Sequence, residues 1–530
     1  MTQLYRPTRR QLLRGGAALA GAAILPGLIG CAAPGPRWSG DPFSLGIASG
    51  DPVPDGFVLW TRLAPEPLSP DPATPGGMSG GAVPVAYEIA VDPAMTQIVR
   101  SGMALASPED AWSVHIEISG LPSSRPYWYR FAVGTAQSAT GRTMTAPAAG
   151  APLDKFRFGF VSCSNYEIGY FSAYRHLAAE QPDVAIFLGD YIYEFAGRRA
   201  SLRKHSDGVA ATDLRTYRNR YAQYHTDPDL QRLHADVPAL MTWDDHEVQN
   251  DYADDLSETF DDPAKFLLRR AAAYRAFYEH MPVRPSLSYP HGPDMRVYDR
   301  LAFGNLIEFS VLDGRQYRSR QACYARPNNG GGHMESNASC PERLDPSRSM
   351  LGLEQEKWLF DGLAKSRAEW NVIAQDVLMA ELRETDSDGY GFWTDDWNGY
   401  PACRARLLHH IHHSKVKNPV VIGGDIHSFW ANELRIDNSD LRTPPVATEF
   451  VGTSITSFGP PYDGFMSFMP NNPHIKYFES RRRGYVLVDT GRKQMDVKMQ
   501  VVSDATDPKA TLSTLKHWIV ENGRAGPQPA

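Results

Sequence analysis

An α/β layered domain preceded by an all-β sandwich is the fold class this sequence predicts, and three observations carry the prediction. Between Leu153 and Ala505, apolar runs of strand length alternate with amphipathic segments of helical period, the pattern of helices laid on sheets. From Phe43 to Pro147, short alternating segments with aromatics on one side succeed one another between Pro/Gly turns, the pattern of a β-sandwich. The composition, 42% hydrophobic and 22% charged over 530 residues, is that of a globular chain. It is too long for one ordinary core, and it excludes collagen-like, coiled-coil and wholly disordered proteins. The net charge is −7, from 54 Lys and Arg against 61 Asp and Glu. That balance argues against nucleic acid as a main partner.

In chain order, residues 1–30 carry Arg6, Arg9, Arg10 and Arg14, no acid, and then a mild Ala/Gly-rich apolar run. The run is too weak for a membrane span and has the layout of an export signal. Thr8-Arg9-Arg10-Gln11-Leu12-Leu13-Arg14 resembles a twin-arginine motif, which implies the twin-arginine export machinery as a partner. Leu28-Ile29-Gly30-Cys31 resembles a lipobox, so Cys31 is the expected lipidation site and a lipid anchor the expected link to a membrane. The expected location is therefore periplasm or cell surface. Without residues 1–30 the chain would carry −11.

Residues 31–42 read as a Pro/Gly-rich linker. The β segment 43–147 contains Val85–Val91, Trp112–Ile118 and Tyr127–Val133 as strands. Leu121-Pro122 ahead of the Tyr-rich strand is similar to fibronectin modules, so a fibronectin/Ig-like sandwich is expected there. In 153–505 the strand runs are Phe156–Val161, Val184–Leu188, Ala239–Thr242, Leu306–Leu312, Val372–Ala374 and Val420–Ile422, with Ala264–Glu279 and Leu353–Ser366 as helices. Residues 506–530 read as a C-terminal tail or helix.

The residues at the ends of the strand runs carry the chemistry. Cys163-Ser164-Asn165, Gly189-Asp190-Tyr191-Ile192-Tyr193-Glu194, Trp243-Asp244-Asp245-His246-Glu247 and Gly423-Gly424-Asp425-Ile426-His427 each end one. In α/β sheets, ligand chemistry gathers beyond the carboxyl ends of strands. An Asp after a strand is commonly a turn former and a lone His a polar surface group. Metal-competent residues on four such ends are a different matter and point to a metal centre.

Gly189-Asp190-x-x-Tyr193, Asp245-His246-Glu247 and Gly424-Asp425-x-His427 resemble the ligand blocks of calcineurin-like metallophosphoesterases, and the Asp-x-x-Tyr variant resembles purple acid phosphatases. The PhoD-type alkaline phosphatase family is more similar still. Its blocks are matched by Phe43–Pro52 with Leu59–Leu63, Leu312–Arg318, Met350–Gly352 with Gln355, Trp397–Pro401 and Glu449–Ile455. The resemblance implies a four-layer metallophosphoesterase β-sandwich flanked by helices, and hydrolysis of phosphate monoesters, with diesters as further substrates, at alkaline pH. A phosphodiesterase or phospholipase-D-like hydrolase on the same metals is the alternative.

It also implies iron(III) with one or two Ca²⁺. Thiolate and phenolate suit a transition ion, whereas Ca²⁺ prefers oxygen, so Cys163, Asp190, Tyr193 and His427 are assigned to iron. Asp190 bridges to a calcium side holding Asp245 and Asp425. Asp244, Asn250 and Gln375 are further ligand candidates; Gln375 or Asp376 stands where related enzymes carry a His.

Two adjacent cations activate a shared water for in-line attack and neutralise phosphoryl charge, so no Ser or Cys phosphoenzyme is expected. His246 is the candidate proton donor to the leaving oxygen, or else an orienter of Asp245. Arg315 and Asn165 are candidate phosphate binders, with an ion-pair role for Arg315 as the other reading. The cluster His409, His410, His412 and His413 reads as a solvated helix face, and Asp386-Ser387-Asp388-Gly389 as a turn. Five cysteines cannot all pair. Cys323 and Cys340 bracket the loop Asn328–Gly332 and are the expected disulfide, while Cys403 reads as a buried thiol.

Overall fold

Strands buried on both faces read as continuous apolar runs, and the run Val184–Leu188 shows how the layers arise from one. Ala185 and Phe187 point to a core shared with Tyr174 and Leu177 of the helix Ser172–Ala179 and with Tyr217 and Tyr221 of the helix Leu214–His225. Ile186 and Leu188 point the other way, to Phe309, Val372, Ile422 and Phe450 of a second sheet. The second sheet repeats the alternation. Val372, Val420 and Ile422 face the first sheet, whereas Ile373 and Val421 pack on Leu359, Leu407 and Ile411 of the helices Gly352–Lys365 and Pro401–His413.

The computed structural model describes residues 38–198, 200–324, 331–386 and 389–530. The export signal, Cys31, most of the linker, and residues 328–330 and 387–388 lie outside the described residues. Trp38–Ala530 form one compact unit.

The first sheet has ten strands. Lys155–Val161, Val184–Leu188 and Ala239–Thr242 are its parallel centre. Gly484–Gly491, Gln494–Val502 and Leu512–Glu521 extend it antiparallel on one side. On the other side lie Ile47–Val53, Gly56–Arg62 and Ser113–Ile118. The second sheet has seven strands, with Ile307–Val311, Trp370–Ala374, Pro419–Gly423 and Ala447–Val451 parallel.

One expectation changes and one is refined. Residues 506–530 do not form a tail or helix, because Leu512–Glu521 is a sheet strand whose Trp518 and Val520 enter the core between the sheets. The N-terminal β region forms the expected two-layer sandwich, but one of its layers is continuous with the ten-stranded sheet. Its five-stranded sheet (Val83–Ala90, Ile98–Ala106, Arg125–Val133, Ala136–Gln137, Gly141–Thr145) packs Val85, Ile89, Tyr129 and Phe131 on Phe57, Leu59, Val114 and Ile118, which belong to the ten-stranded sheet. The seam between the two halves of that sheet is the parallel pairing of Gly50 with Ala239. A Cβ on Gly50 would lie 2.2 Å from the Pro282 carbonyl oxygen, so only glycine closes the join.

Behind the seam, His234 is buried, its Nε2 2.8 Å from the Tyr191 hydroxyl and its ring stacked on Phe187. Burial lowers its pKa to about 3. The unfolded chain therefore takes up this proton near pH 6.5 and the folded chain does not. The stabilising contribution is complete above pH 6.5 and declines as pH falls toward 3, by about 1.4 kcal/mol per unit for one such group. We expect unfolding free energies measured from pH 6.5 to 4 to fall less steeply in His234→Gln than in the parent chain; equal slopes would refute this.

Candidate metal centre

Three of the four strand ends turn out of their sheets through residues in the left-handed region. Cys163 (φ 62°), Asp190 (φ 53°), Asp425 (φ 61°) and His427 (φ 55°) all adopt it without being glycine. Such backbones are uncommon and cost on the order of 1–3 kcal/mol each, so surrounding contacts must hold them. The contacts are present. Cys163 N–H donates to Gly189 O at 3.2 Å and Ser164 N–H to Asp190 O at 2.9 Å, tying the first two ends together. The Glu247 carboxylate accepts the N–H groups of Asp190 (3.1 Å), Tyr191 (2.6 Å) and Asp244 (2.9 Å). Gly189 (φ 90°) fits here because a Cβ would sit 2.4 Å from Asp244.

The side chains expected at the metals converge. One ligand atom from each of Cys163, Asp190 and His427 lies within 4.8 Å of the others, and the same holds for Asp190, Asp245 and His246, and for Asp244, Asp245 and Asp425. The groups overlap through Asp190 and then Asp245, which makes a continuous row of sites. Tyr193 joins the first, its hydroxyl 2.9 Å from Asp190 Oδ2, 3.0 Å from His427 Nε2 and 2.7 Å from Ser457 Oγ. His427 is fixed by Nδ1, 2.8 Å from Phe458 O.

The donor set fits cations. Burial, then the charge of Asp190, pushes the Cys163 thiol and the Tyr193 phenol well up. Burial and neighbouring carboxylates push Asp190 and Asp244 up, and Asp425 to about 7. A bound cation reverses all of these directions at once. One oxygen on each of Asp190, Asp244 and Asp245, and both on Asp376, are buried without a hydrogen-bond partner, the state expected of oxygens reserved for ions.

His246 Nδ1 is 2.7 Å from Glu194 Oε2, and its ring lies 4.2 Å from that of Tyr193. Burial acts against its charge, yet Asp245, Asp190 and Glu194 together hold the imidazole protonated well above the usual histidine range. Asn250 donates its N–H to Glu194 Oε1 at 2.9 Å. Asn165 Oδ1 accepts from Glu167 N–H at 3.1 Å, and its own backbone carbonyl accepts from Thr456 at 2.7 Å.

Arg315 departs from its expected phosphate-binding role. Its guanidinium is fully buried among four carboxylates, 2.5 Å from Asp244, 2.8 Å from Asp395, 3.7 Å from Asp376 and 3.9 Å from Asp245. The ion-pair reading is the one the geometry realises. Gln375 also departs from expectation. Its oxygen accepts from Val377 N–H (3.1 Å) and Trp397 Nε1 (3.0 Å), and its nitrogen donates to Val377 O, so no lone pair is left for a metal. The neighbouring Asp376 offers the free oxygens. Sequence reading also missed Asp395, which pairs with both Arg315 and Arg318, and Asp251, whose N–H donates to Asp245 Oδ2 at 2.6 Å. Neither ends a strand, and only the tandem acids Asp395-Asp396 hinted at a role.

Cys323 and Cys340 form a disulfide with Cα atoms 6.0 Å apart. Cys403 is a buried thiol 3.2 Å from Glu356 Oε1. His409–His413 line a helix face and join no metal-competent group among the described residues.

Two sheets with a thiol, a phenol, imidazoles and carboxylates gathered at their carboxyl edge define a metal-competent α/β protein of the hydrolase type. Residues 158–499 match the family described as PhoD-like phosphatase, and residues 30–147 match its N-terminal domain. Alkaline phosphatase D of Bacillus subtilis is 42% identical over 98% of this chain and 88% of its own length. A solved structure of PhoD superposes with a TM-score of 0.87 at 42% identity, covering 93% of each chain. The chain belongs to the PhoD-like phosphatase family, a family of phosphoesterases.

Removing one member of a buried charge cluster leaves the others uncompensated. Arg315→Met is expected to lower unfolding free energy by about 3–5 kcal/mol in urea melts. A variant of unchanged stability with only a raised KM would instead support a phosphate-binding arginine.

Proposed function

We propose that this chain is an exported, metal-dependent alkaline phosphatase that hydrolyses phosphate monoesters, and diesters also, on a four-layer metallophosphoesterase scaffold. The observation that carries the reading is the row of three overlapping ligand groups sharing Asp190 and Asp245. Its chemistry is graded from sulfur, phenol and imidazole at one end to carboxylates at the other. Cys163, Tyr193, His427 and Asp190 would hold iron(III), while Asp245, Asp425, Asp244 and Asp376 would supply oxygens to Ca²⁺. When bound, two adjacent cations lower the pKa of water and neutralise phosphoryl charge.

The chain's own residues supply the remainder. His246, with Nδ1 turned to Glu194, holds a proton at Nε2 for the departing alkoxide. Asn165, its oxygen occupied by Glu167 N–H, has its Nδ2 amide left for a phosphoryl oxygen. Arg315 keeps the aspartates charged and in place. No serine or cysteine is needed as a phosphoryl carrier, and Cys163 is too deeply enclosed to serve as one.

The reading extends to location. The Arg9-Arg10 motif and the Leu28–Cys31 lipobox support twin-arginine export and acylation of Cys31. In cells, Cys31→Ser is expected to move the protein from the membrane fraction to the soluble one; persistence in the membrane fraction would count against the anchor.

Elemental analysis with assays on p-nitrophenyl phosphate and its bis ester tests the enzyme reading. Iron and calcium in the protein, with release of nitrophenol at alkaline pH, are expected. Cys163→Ala should stay folded, lose its iron and lose about 100-fold or more in kcat, since even residues behind a ligand are worth 10–100-fold. Colourless protein that is inactive after supply of both metals would sink the proposal.

A further inference from the structure

A cleft of about 240 Å³ opens beside His427, lined by Ile168, Phe458, Asp504 and the successive arginines Arg481, Arg482 and Arg483. None of the metal-competent residues lines it, but three contacts join its lining to the loops that carry them. The carbonyl of Phe458 holds His427 Nδ1, Arg483 donates to His427 O at 2.8 Å, and Thr456 donates to the carbonyl of Asn165. Phe458 is thus common to the cleft and to the surroundings of His427, and the cleft lies one residue away from the metal-competent group.

The three arginines differ in what they are already bound to. Arg483 is spent on His427 O, Ser454 Oγ, Thr453 Oγ1 and Ser480 O. Arg481 forks onto Glu479 at 2.7 and 2.9 Å and lies over the Tyr462 ring. Arg482 is exposed, its carbonyl taken by Thr453 Oγ1, and no ion pair among the described residues uses its guanidinium. The acid in the lining, Asp504, already accepts from the N–H and hydroxyl of Thr506, each at 2.8 Å. Arg481–Arg483 is also the sequence's one run of three arginines, in a chain of net charge −7. Phe458, in the same lining, is 69% exposed, an apolar surface beside the Arg482 guanidinium, which lies near Glu479 but forms no ion pair with it among the described residues.

We propose that this cleft is an anion subsite. It takes a second negatively charged group, a phosphate or carboxylate, carried on the alcohol portion of the phosphoester under hydrolysis. Arg482 forms the charge-assisted hydrogen bond, and the carbon chain between the two anions lies on Phe458. The proposal rests on the phosphatase reading above. It makes the enzyme selective for phosphoesters with two anionic groups over simple ones. Arg482 acts on specificity and leaves the chemistry at the metal centre unchanged.

The test is a series of straight-chain alkanediol bisphosphates, each paired with the alkanol monophosphate of the same length, assayed by release of inorganic phosphate from the metal-loaded protein. At least one bisphosphate should show a kcat/KM per phosphate about fivefold above its partner, the scale of one exposed charge-assisted contact. In Arg482→Gln that ratio should fall to near unity while the monophosphate values stay unchanged, and Arg482→Lys should keep part of it. Ratios near unity in the parent enzyme, or an unchanged ratio in Arg482→Gln, would overturn the subsite alone. Hydrolysis of neither compound would overturn the phosphatase reading and the subsite with it.

Discussion

Carboxylates packed around one corner of a protein interior repel one another, and the structure depends on what offsets that repulsion. Arg315 is the internal part of the answer. Its guanidinium meets Asp244, Asp245, Asp376 and Asp395 with no exposure to water. Arg318 contributes a second charge at Asp395. One guanidinium cannot balance four acids. The unpartnered oxygens on Asp190, Asp244, Asp245 and Asp376 mark the remainder, which bound cations would neutralise. A buried ion network of this kind is weak evidence for stability and better evidence for a site.

Much of this was legible because strand ends are legible. A short apolar run ending in Asp, Cys or His places that residue on the sheet's carboxyl edge whatever the loops do, so Cys163, Asp190, Tyr193, Asp245, Asp425 and His427 were recognisable from the chain alone. What escaped was information carried by loops and by competition for partners. Whether Gln375 or Asp376 faces the site depends on Trp397 Nε1 claiming the glutamine oxygen, a contact between residues 22 apart. Whether Arg315 faces phosphate or aspartate depends on Asp395, which lies 80 residues downstream. Neither can be read from local pattern.

The same limit explains the domain picture. Alternating strands between Phe43 and Pro147 read as a sandwich of their own, and the hydrophobic pattern is that of one. Its second layer, however, is the far end of the ten-stranded sheet, joined through Gly50 and Ala239. The strand Leu512–Glu521 shows no strand period in the sequence because its inward Trp518 and Val520 are too few. Its pairing with Gln494–Val502 assigns it to the sheet.

That sheet draws its centre and both flanks from distant parts of the sequence, and this sets the timetable of assembly. The strand that delivers Cys163 is paired on one side by Val184–Leu188 and on the other by Gly484–Gly491. Until residues 457 and 458 are made, the Cys163 loop lacks Ser457 and His427 lacks its anchor, and until residues 484–491 follow, the Cys163 strand keeps one open edge. Contacts of such long sequence separation form slowly. The cysteine end of the ligand row is therefore the last part of the pocket to be completed, and the full set of ligands exists only once most of the chain is made.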